Sequence, residues 1–90
     1  MSIPEPLARI FEVYCHVHAT NLGQLADDCK RKDWSYSSPE LFERQLRDVL
    51  LNRTITISEY DEITCEEFDT LDDLYDWLKT VWDDTIKSPL

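Results

Sequence analysis

The C-terminal third of the chain carries the pattern that most restricts the fold, a helical apolar period beside a dense set of acidic residues. The segment TCEEFDTLDDLYDWLKTVWDD, residues 64–84, contains eight acidic residues and a single basic one, Lys79. At 100° per residue its apolar positions fall within one arc of about 120°. These positions are Leu71, Leu74, Tyr75, Leu78, Val81 and Trp82. We therefore expect an amphipathic helix that buries one side and exposes charge on the other.

Helix stability explains the acidic residues at the start of this helix but not those at its end. Thr70, followed three residues later by Asp73, resembles a capping box and predicts the helix start. Asp83 and Asp84 lie near the other end, where the helix dipole disfavours anions by a few tenths of a kcal/mol. Local helix stability does not account for them, so the acidic side, with Trp77 at its border, points to a role at the surface.

The net charge is concentrated in the same region. The chain has 9 basic and 19 acidic residues, but residues 1–58 carry a net charge of −1 and residues 59–90 a net charge of −9. A one-sided negative field attracts a basic partner and repels nucleic acid. The basic cluster of Lys30, Arg31 and Lys32 is too small to reverse this, so we expect no direct binding of nucleic acid.

The length and the cysteine content of the chain limit the class of protein to which it can belong. Ninety residues predict a single domain over residues 1–90, large enough to bury roughly 60–65% of its unfolded surface. Cys15, Cys29 and Cys65 are odd in number and lack paired spacing, which predicts reduced thiols in a cytoplasmic protein. No apolar run approaches the roughly 18 residues of a membrane span, and the N-terminus does not resemble a signal peptide, so we expect no membrane association.

Two helices are predicted in the first third. The first begins near Pro6, which suits a first-turn position. Its inward-facing side at helical spacing comprises Leu7, Ile10, Phe11, Tyr14, Val17 and His18. Asn21, followed by Gln24 in a capping-box pattern, predicts a second helix from Leu22 to about Arg31. One continuous helix over both segments is the alternative; we favour a break because turn-forming residues cluster at the junction.

The middle of the chain predicts a third helix and then a β element. Ser38 before Pro39 is a good helix start, and the helix is expected to run to about Asn52. The following segment, TITISEYDEITCEEF, alternates apolar and polar residues. It predicts either a hairpin turning near residues 60–62 or one long edge strand over residues 54–68; no glycine is present to form a tight turn. The predicted fold class is α+β, with three to four helices and a short antiparallel β element before the C-terminal helix.

Catalytic and metal sites are not expected. Cys15, His16 and His18 are good metal ligands, but on a helix His16 and His18 point about 200° apart and cannot share an ion. A Cys–His nucleophilic pair cannot be selected from the sequence, and the segment DTLDDLYD lacks the glycine of a calcium-binding EF-hand loop. We predict a binding protein that is not an enzyme and that uses no cofactor or metal.

The predicted binding surface combines carboxylates with two aromatic anchors. Spaced carboxylates can imitate phosphates, and Tyr60 and Trp77 belong to the residue types that dominate protein interfaces. The predicted surface comprises Tyr60, Asp61, Glu62, Glu66, Glu67, Asp69, Asp72, Asp73, Asp76, Trp77, Asp83 and Asp84, with Glu59 beside them. The plain alternative is a solvated surface that serves only solubility.

In these general features the chain is similar to bacterial immunity proteins of nuclease toxins: small, acidic, mostly helical, with Tyr or Trp among carboxylates. The similarity is one of composition, and no family motif carries it. It implies an inhibitor that covers a basic nuclease or toxin domain. A phage-encoded blocker of restriction or CRISPR nucleases would have the same features. A regulatory adaptor would instead bind through a groove or an edge strand such as Thr54–Ser58, and a homodimer through the Tyr/Trp surface is also open.

Overall fold

The computed structural model describes residues 3–90, which form five α-helices and, within that range, no β-strand. The helices are α1 (Leu7–Tyr14), α2 (Leu22–Asp28), α3 (Pro39–Asn52), α4 (Ile57–Thr64) and α5 (Leu71–Thr85). The predicted α+β class is therefore wrong, and the predicted count of three to four helices is too low.

The predicted starts of α2 and α3 are confirmed by their capping bonds, whereas α1 begins at Leu7 without a side-chain cap. The Asn21 side-chain oxygen accepts from the Gln24 backbone N–H at 3.0 Å. The Ser38 hydroxyl accepts from the Leu41 N–H at 3.2 Å. The chain breaks between α1 and α2 as favoured, although α2 ends at Asp28, three residues before the predicted end.

The predicted β element is helix α4, and the hairpin and edge-strand alternatives for residues 54–68 are both wrong. The Thr56 hydroxyl accepts from the Glu59 N–H at 3.2 Å, and the Glu59 carboxylate accepts from the Thr56 N–H at 2.9 Å. This reciprocal capping box starts the helix. Ile55 and Tyr60 occupy the two positions that a hydrophobic staple joins, and both are buried. The apparent alternation came from a buried residue just before a helix and the first turn of that helix.

Helix α5 forms as the amphipathic pattern predicted. The Thr70 hydroxyl accepts from the Asp73 N–H at 3.1 Å at its start. Leu74, Leu78 and Trp82 are fully buried. Leu71 departs from the pattern and is 40% exposed, since the first residue of the helix lies at the edge of the core.

The core lies between α5 and the first three helices. Helix α5 packs against α2 and α3, while α1 packs against α2, α3 and α4. Large fully buried side chains include Leu7, Ile10, Phe11, Leu25, Phe42, Leu46, Tyr60, Leu74, Leu78 and Trp82. Because α5 is covered on its apolar side only, its acidic side faces solvent.

Two chain-wide features also bear on function. The three cysteines are free thiols; Cys15 and Cys29 are buried and Cys65 is exposed. Within residues 3–90, every helix is too short or too polar to cross a lipid bilayer.

Candidate protein-binding surface

The acidic side of α5 is the best-defined candidate surface. All five of its aspartates are exposed, and we call them the α5 acidic face: Asp72, Asp73, Asp76, Asp83 and Asp84. Two of them are neutralised internally, since Arg53 Nη2 lies 2.8 Å from Asp72 Oδ1 and Lys79 Nζ lies 2.7 Å from Asp83 Oδ1. The other three make no ion pair within residues 3–90, so the charge available to a partner centres on them.

The contact to Asp72 belongs to the fold. Arg53 terminates α3 in the left-handed conformation, with φ 50°, and its guanidinium lies 4.6 Å from the centre of the Tyr75 ring. The same guanidinium reaches Asp72 at the start of α5. Although an ion pair this exposed adds little stability, it places a cation beside Asp72 and weakens its attraction for an external cation.

Trp77 borders the acidic face but is anchored inward. Its side chain is half-buried against the core, and its indole N–H donates to the Tyr60 hydroxyl at 2.7 Å. At 100° per residue it lies about 40° from Asp73 and 20° from Asp84 around the helix. Its exposed part can therefore contact a partner that binds these two aspartates, while its N–H is already used.

Tyr60 is fully buried, so its predicted role as a surface anchor is wrong. Its ring meets that of Phe11 edge-on, with 5.3 Å between ring centres. Burial also raises the pKa of the Tyr60 hydroxyl, which therefore stays protonated. Helix α4 buries this residue because it packs against α1, a contact that a strand prediction could not supply.

The remaining predicted carboxylates do not join the α5 acidic face into one surface. Glu62 lines a separate groove of about 350 Å³ between α1 and α4, together with Arg9 and Glu12. Asp61 also lies on α4, while Glu66, Glu67 and Asp69 lie in the loop between α4 and α5. Glu66 in that loop is half-buried, and desolvation raises the pKa of its carboxyl group.

Helix α2 adds a carboxylate that sequence reasoning missed. A groove of about 440 Å³ between α2 and the end of α5 is lined by Gly23, Ala26, Asp27, Asp84 and Lys87, among others. Asp27 lies in the part of the sequence with almost balanced charge, and only the packing of α2 on α5 brings it beside Asp84. The helical pattern of α2 places Asp27 outward, but nothing in the sequence says which helix it faces.

The His16–His18 pair differs from expectation because α1 ends at Tyr14. Cys15 terminates the helix, and the two imidazole rings come together with 5.5 Å between their centres. The His18 backbone N–H donates to His16 Nδ1 at 3.2 Å. His18 and Val17 are exposed, against the prediction that they face inward. Within residues 3–90, no group of three or more His, Cys, Asp or Glu side chains is placed to hold a metal ion.

The two buried thiols are poorly suited to nucleophilic chemistry. Burial raises the pKa of Cys15 to about 12 and also raises the pKa of Cys29. A thiol that stays protonated at neutral pH is a weak nucleophile. Their environment is that of small core residues.

The α5 acidic face presents fixed anions on a helix whose other side is core, which suits contact with a cationic macromolecule. Comparisons with protein-family models, with curated proteins and with solved structures found no significant match.

Proposed function

We propose that this protein is a cytoplasmic inhibitory binding protein that covers the basic, nucleic-acid-binding surface of a partner, as an immunity protein covers a nuclease toxin. The observation that carries the proposal is the charge distribution on α5. Asp73, Asp76 and Asp84 are exposed and make no ion pair within residues 3–90. A partner with complementary positive charge would associate quickly and in a salt-sensitive way.

The spacing of these carboxylates supports the comparison with nucleic acid. At 1.5 Å per residue, Asp73 and Asp84 are separated by roughly 16 Å along the helix axis, with Asp76 between them. A row of separated negative charges on a rigid rod is also what a nucleic-acid backbone presents to a basic groove. Because the opposite side of α5 is fixed in the core, little conformational entropy is lost when a partner binds it.

The adaptor alternative loses its predicted binding element. An adaptor would have used an edge strand at Thr54–Ser58, and in the structure this segment is the approach to α4 and its first turn. A phage-type blocker of nucleases would use the same surface as an immunity protein. The identity of the partner therefore distinguishes these two hypotheses.

To test the proposed function, partners are captured from the cytosol of the natural host at low salt and identified by mass spectrometry. Binding is then measured with the purified partner. We expect a basic nucleic-acid-binding protein whose cognate DNA or RNA competes with this chain for binding. Charge reversal at Asp76→Lys/Asp84→Lys should abolish the complex. The matched control is Glu40→Lys/Asp48→Lys on α3, which changes the charge equally at two exposed carboxylates with the same eight-residue separation.

Two outcomes would overturn the proposal. One is a partner that binds the α5 variant as well as the wild type; the other is a partner whose binding is indifferent to nucleic acid. Truncation of Trp77 is a poorer test, because this side chain packs on the core and bonds Tyr60, so Trp77→Ala alters folding as well as any contact.

A further inference from the structure

A small cavity of about 190 Å³ opens between the ends of α1 and α2 and the loop that leads to α3. Its lining includes Tyr14, Asp28, Arg31, Asp33, Trp34 and Tyr36. Sites for whole small molecules are typically about 300–1,000 Å³, so this cavity has the size for a single side chain. We call it the Tyr14 pocket.

The aromatic walls of the Tyr14 pocket are held by a chain of hydrogen bonds. The Trp34 indole N–H donates to the Tyr14 hydroxyl at 3.2 Å, and that hydroxyl donates to Asp28 Oδ2 at 2.7 Å. Burial raises the pKa of Tyr14 to about 12, so the hydroxyl keeps its proton for this bond. Tyr36 packs edge-on against Tyr14, with 5.9 Å between ring centres, and is 38% exposed. The pocket thus has fixed walls and one ring that faces solvent.

The charges around the pocket favour a cation. Asp28 is fixed by Tyr14 and by Gln24, whose side-chain nitrogen donates to Oδ1 at 2.7 Å. Each carboxylate oxygen has two lone pairs, so Asp28 can accept further bonds. Among the residues that the structure describes, Arg31 is the one cation in the lining, and its Nε lies 3.3 Å from Asp33 Oδ1. The side chains of this pair are 63% and 77% exposed, so the pair is weak and can open.

We propose that the Tyr14 pocket receives the guanidinium group of an arginine side chain from the basic partner, an inference that rests on the proposed function for the identity of that partner. A planar guanidinium forms paired hydrogen bonds with carboxylates and stacks on aromatic rings. Asp28 and Asp33 supply the carboxylates, and Tyr36 supplies an exposed ring. Arg31 of the chain itself already holds a guanidinium beside Asp33, and it moves aside when the partner's arginine enters.

The position of the pocket is compatible with a single partner that also contacts the α5 acidic face. Helix α2 presents Asp28 to the pocket at one edge and Asp27 to the groove with Asp84 at the other. Asp27 and Asp28 are consecutive, so their side chains project about 100° apart around α2 and the two sites are neighbours. A basic surface of ordinary interface size covers both.

The three tryptophan indole N–H groups of the protein serve as NMR probes of peptide binding. Those of Trp34, Trp77 and Trp82 are bonded respectively to Tyr14, to Tyr60 and to the Ser88 carbonyl, so each reports on a different place by NMR. In a titration with the peptide acetyl-Gly-Arg-Gly-amide, we expect the Trp34 signal to move and the other two to stay.

Variants then separate the contributions of the charges. Asp28→Asn keeps an acceptor for Tyr14 but removes the charge and the acceptor that Gln24 uses, and it should weaken peptide binding about tenfold; Asp33→Asn, at an exposed site, should also weaken it. Asp27→Asn is the matched control and should change little. Arg31→Gln removes the internal competitor and should strengthen binding.

Three results would overturn the proposal: no shift of the Trp34 signal, equal binding of the lysine peptide acetyl-Gly-Lys-Gly-amide, or unchanged affinity in both aspartate variants of the pocket. Each leaves the proposed function standing, because the charge-reversal experiment on α5 uses different residues. Conversely, a peptide that binds as expected while the α5 variant keeps its partner would retain the pocket and remove the inhibitor proposal.

Discussion

The hydroxyl group of Tyr75 bonds both backbone polar groups of Ile55: it accepts from the N–H at 3.1 Å and donates to the carbonyl at 2.9 Å. In a β-sheet these two groups would pair with a neighbouring strand. Here a side chain from α5 satisfies them, so the extended segment between α3 and α4 needs no strand partner. The same contact fixes the start of α4 against the first half of α5.

Removal of this hydroxyl should destabilise the protein. We expect Tyr75→Phe to lower the free energy of unfolding by about 1–3 kcal/mol, because two buried backbone groups lose their partner. Urea denaturation followed by circular dichroism measures the change. Tyr36→Phe, at a ring that is 38% exposed, is the control and should cost far less. A loss at Tyr75→Phe no larger than that at Tyr36→Phe would contradict the stabilising role of the Tyr75–Ile55 bonds.

The capping box of α4 predicts that Thr56 stabilises the protein more than the nearby Thr54 does. Thr56→Ala should lower the free energy of unfolding by about 1 kcal/mol, because the Glu59 N–H loses its acceptor. Thr54→Ala, two residues earlier and outside the box, should have a much smaller effect. Backbone chemical shifts over Ile57–Thr64 should be helical in the wild type; values typical of a strand would contradict the assignment of α4.

The sequence predicts those parts of the fold that local chemistry determines. Asn21, Ser38 and Thr70 each accept the capping bond that their position implied. Helix α4 was equally recoverable, since Thr56 and Glu59 have the same spacing as a capping box. It was missed because the alternation around Ile55 was given more weight than the cap.

Other features depend on tertiary packing and could not be predicted. The proximity of Asp27 and Asp84 follows from how α2 lies on α5, and the Arg53–Asp72 pair follows from how α3 ends. The sequence pattern therefore predicts the position of the acidic helix, but it overestimates the number of aspartates without an internal cation. It also could not show that Tyr60 is buried, because that depends on the packing of α4 against α1.

Stability should decline at alkaline pH. Burial raises the pKa of Cys15 from 9.0 to about 12 and that of Tyr14 from 10.0 to about 12. Their contribution is therefore fully present below pH 9. It is lost as pH rises from 9 to 12, because the unfolded chain releases protons that the folded chain retains. Each such proton contributes a slope of about 1.4 kcal/mol per pH unit.

The Cys15→Ala variant isolates one of these protons. Between pH 9 and 12, its free energy of unfolding should fall less steeply with pH than that of the wild type. The difference in slope should be at most that of one proton. Val49→Ala removes a buried side chain without a titratable group and should keep the wild-type slope. If the slopes of Cys15→Ala and the wild type coincide, the thiol is not held protonated by burial.

Thiol accessibility gives a further check on the packing of α1 and α2. In the native protein, a disulfide reagent should modify Cys65 quickly and leave Cys15 and Cys29 unreacted, since only Cys65 is exposed. All three should react in denaturant. A Cys65→Ser variant should therefore show no fast-reacting thiol in the native state. A fast reaction at Cys29 would indicate that the contact between α2 and the end of α5 opens readily.

The internal ion pairs of α5 predict an ordering among single aspartates when the partner is in hand. Asp76→Asn should slow association with a basic partner at low salt by several-fold, because it removes a carboxylate that no internal cation neutralises. Asp72→Asn removes the same formal charge, but Arg53 lies 2.8 Å from that carboxylate and already offsets it. Its association rate should therefore change less. Stopped-flow measurements at two salt concentrations distinguish the variants, and both differences should shrink at high salt as the charges are screened. If Asp72→Asn slows association as much as Asp76→Asn, the partner responds to the total charge of the chain and not to the free carboxylates of the α5 acidic face.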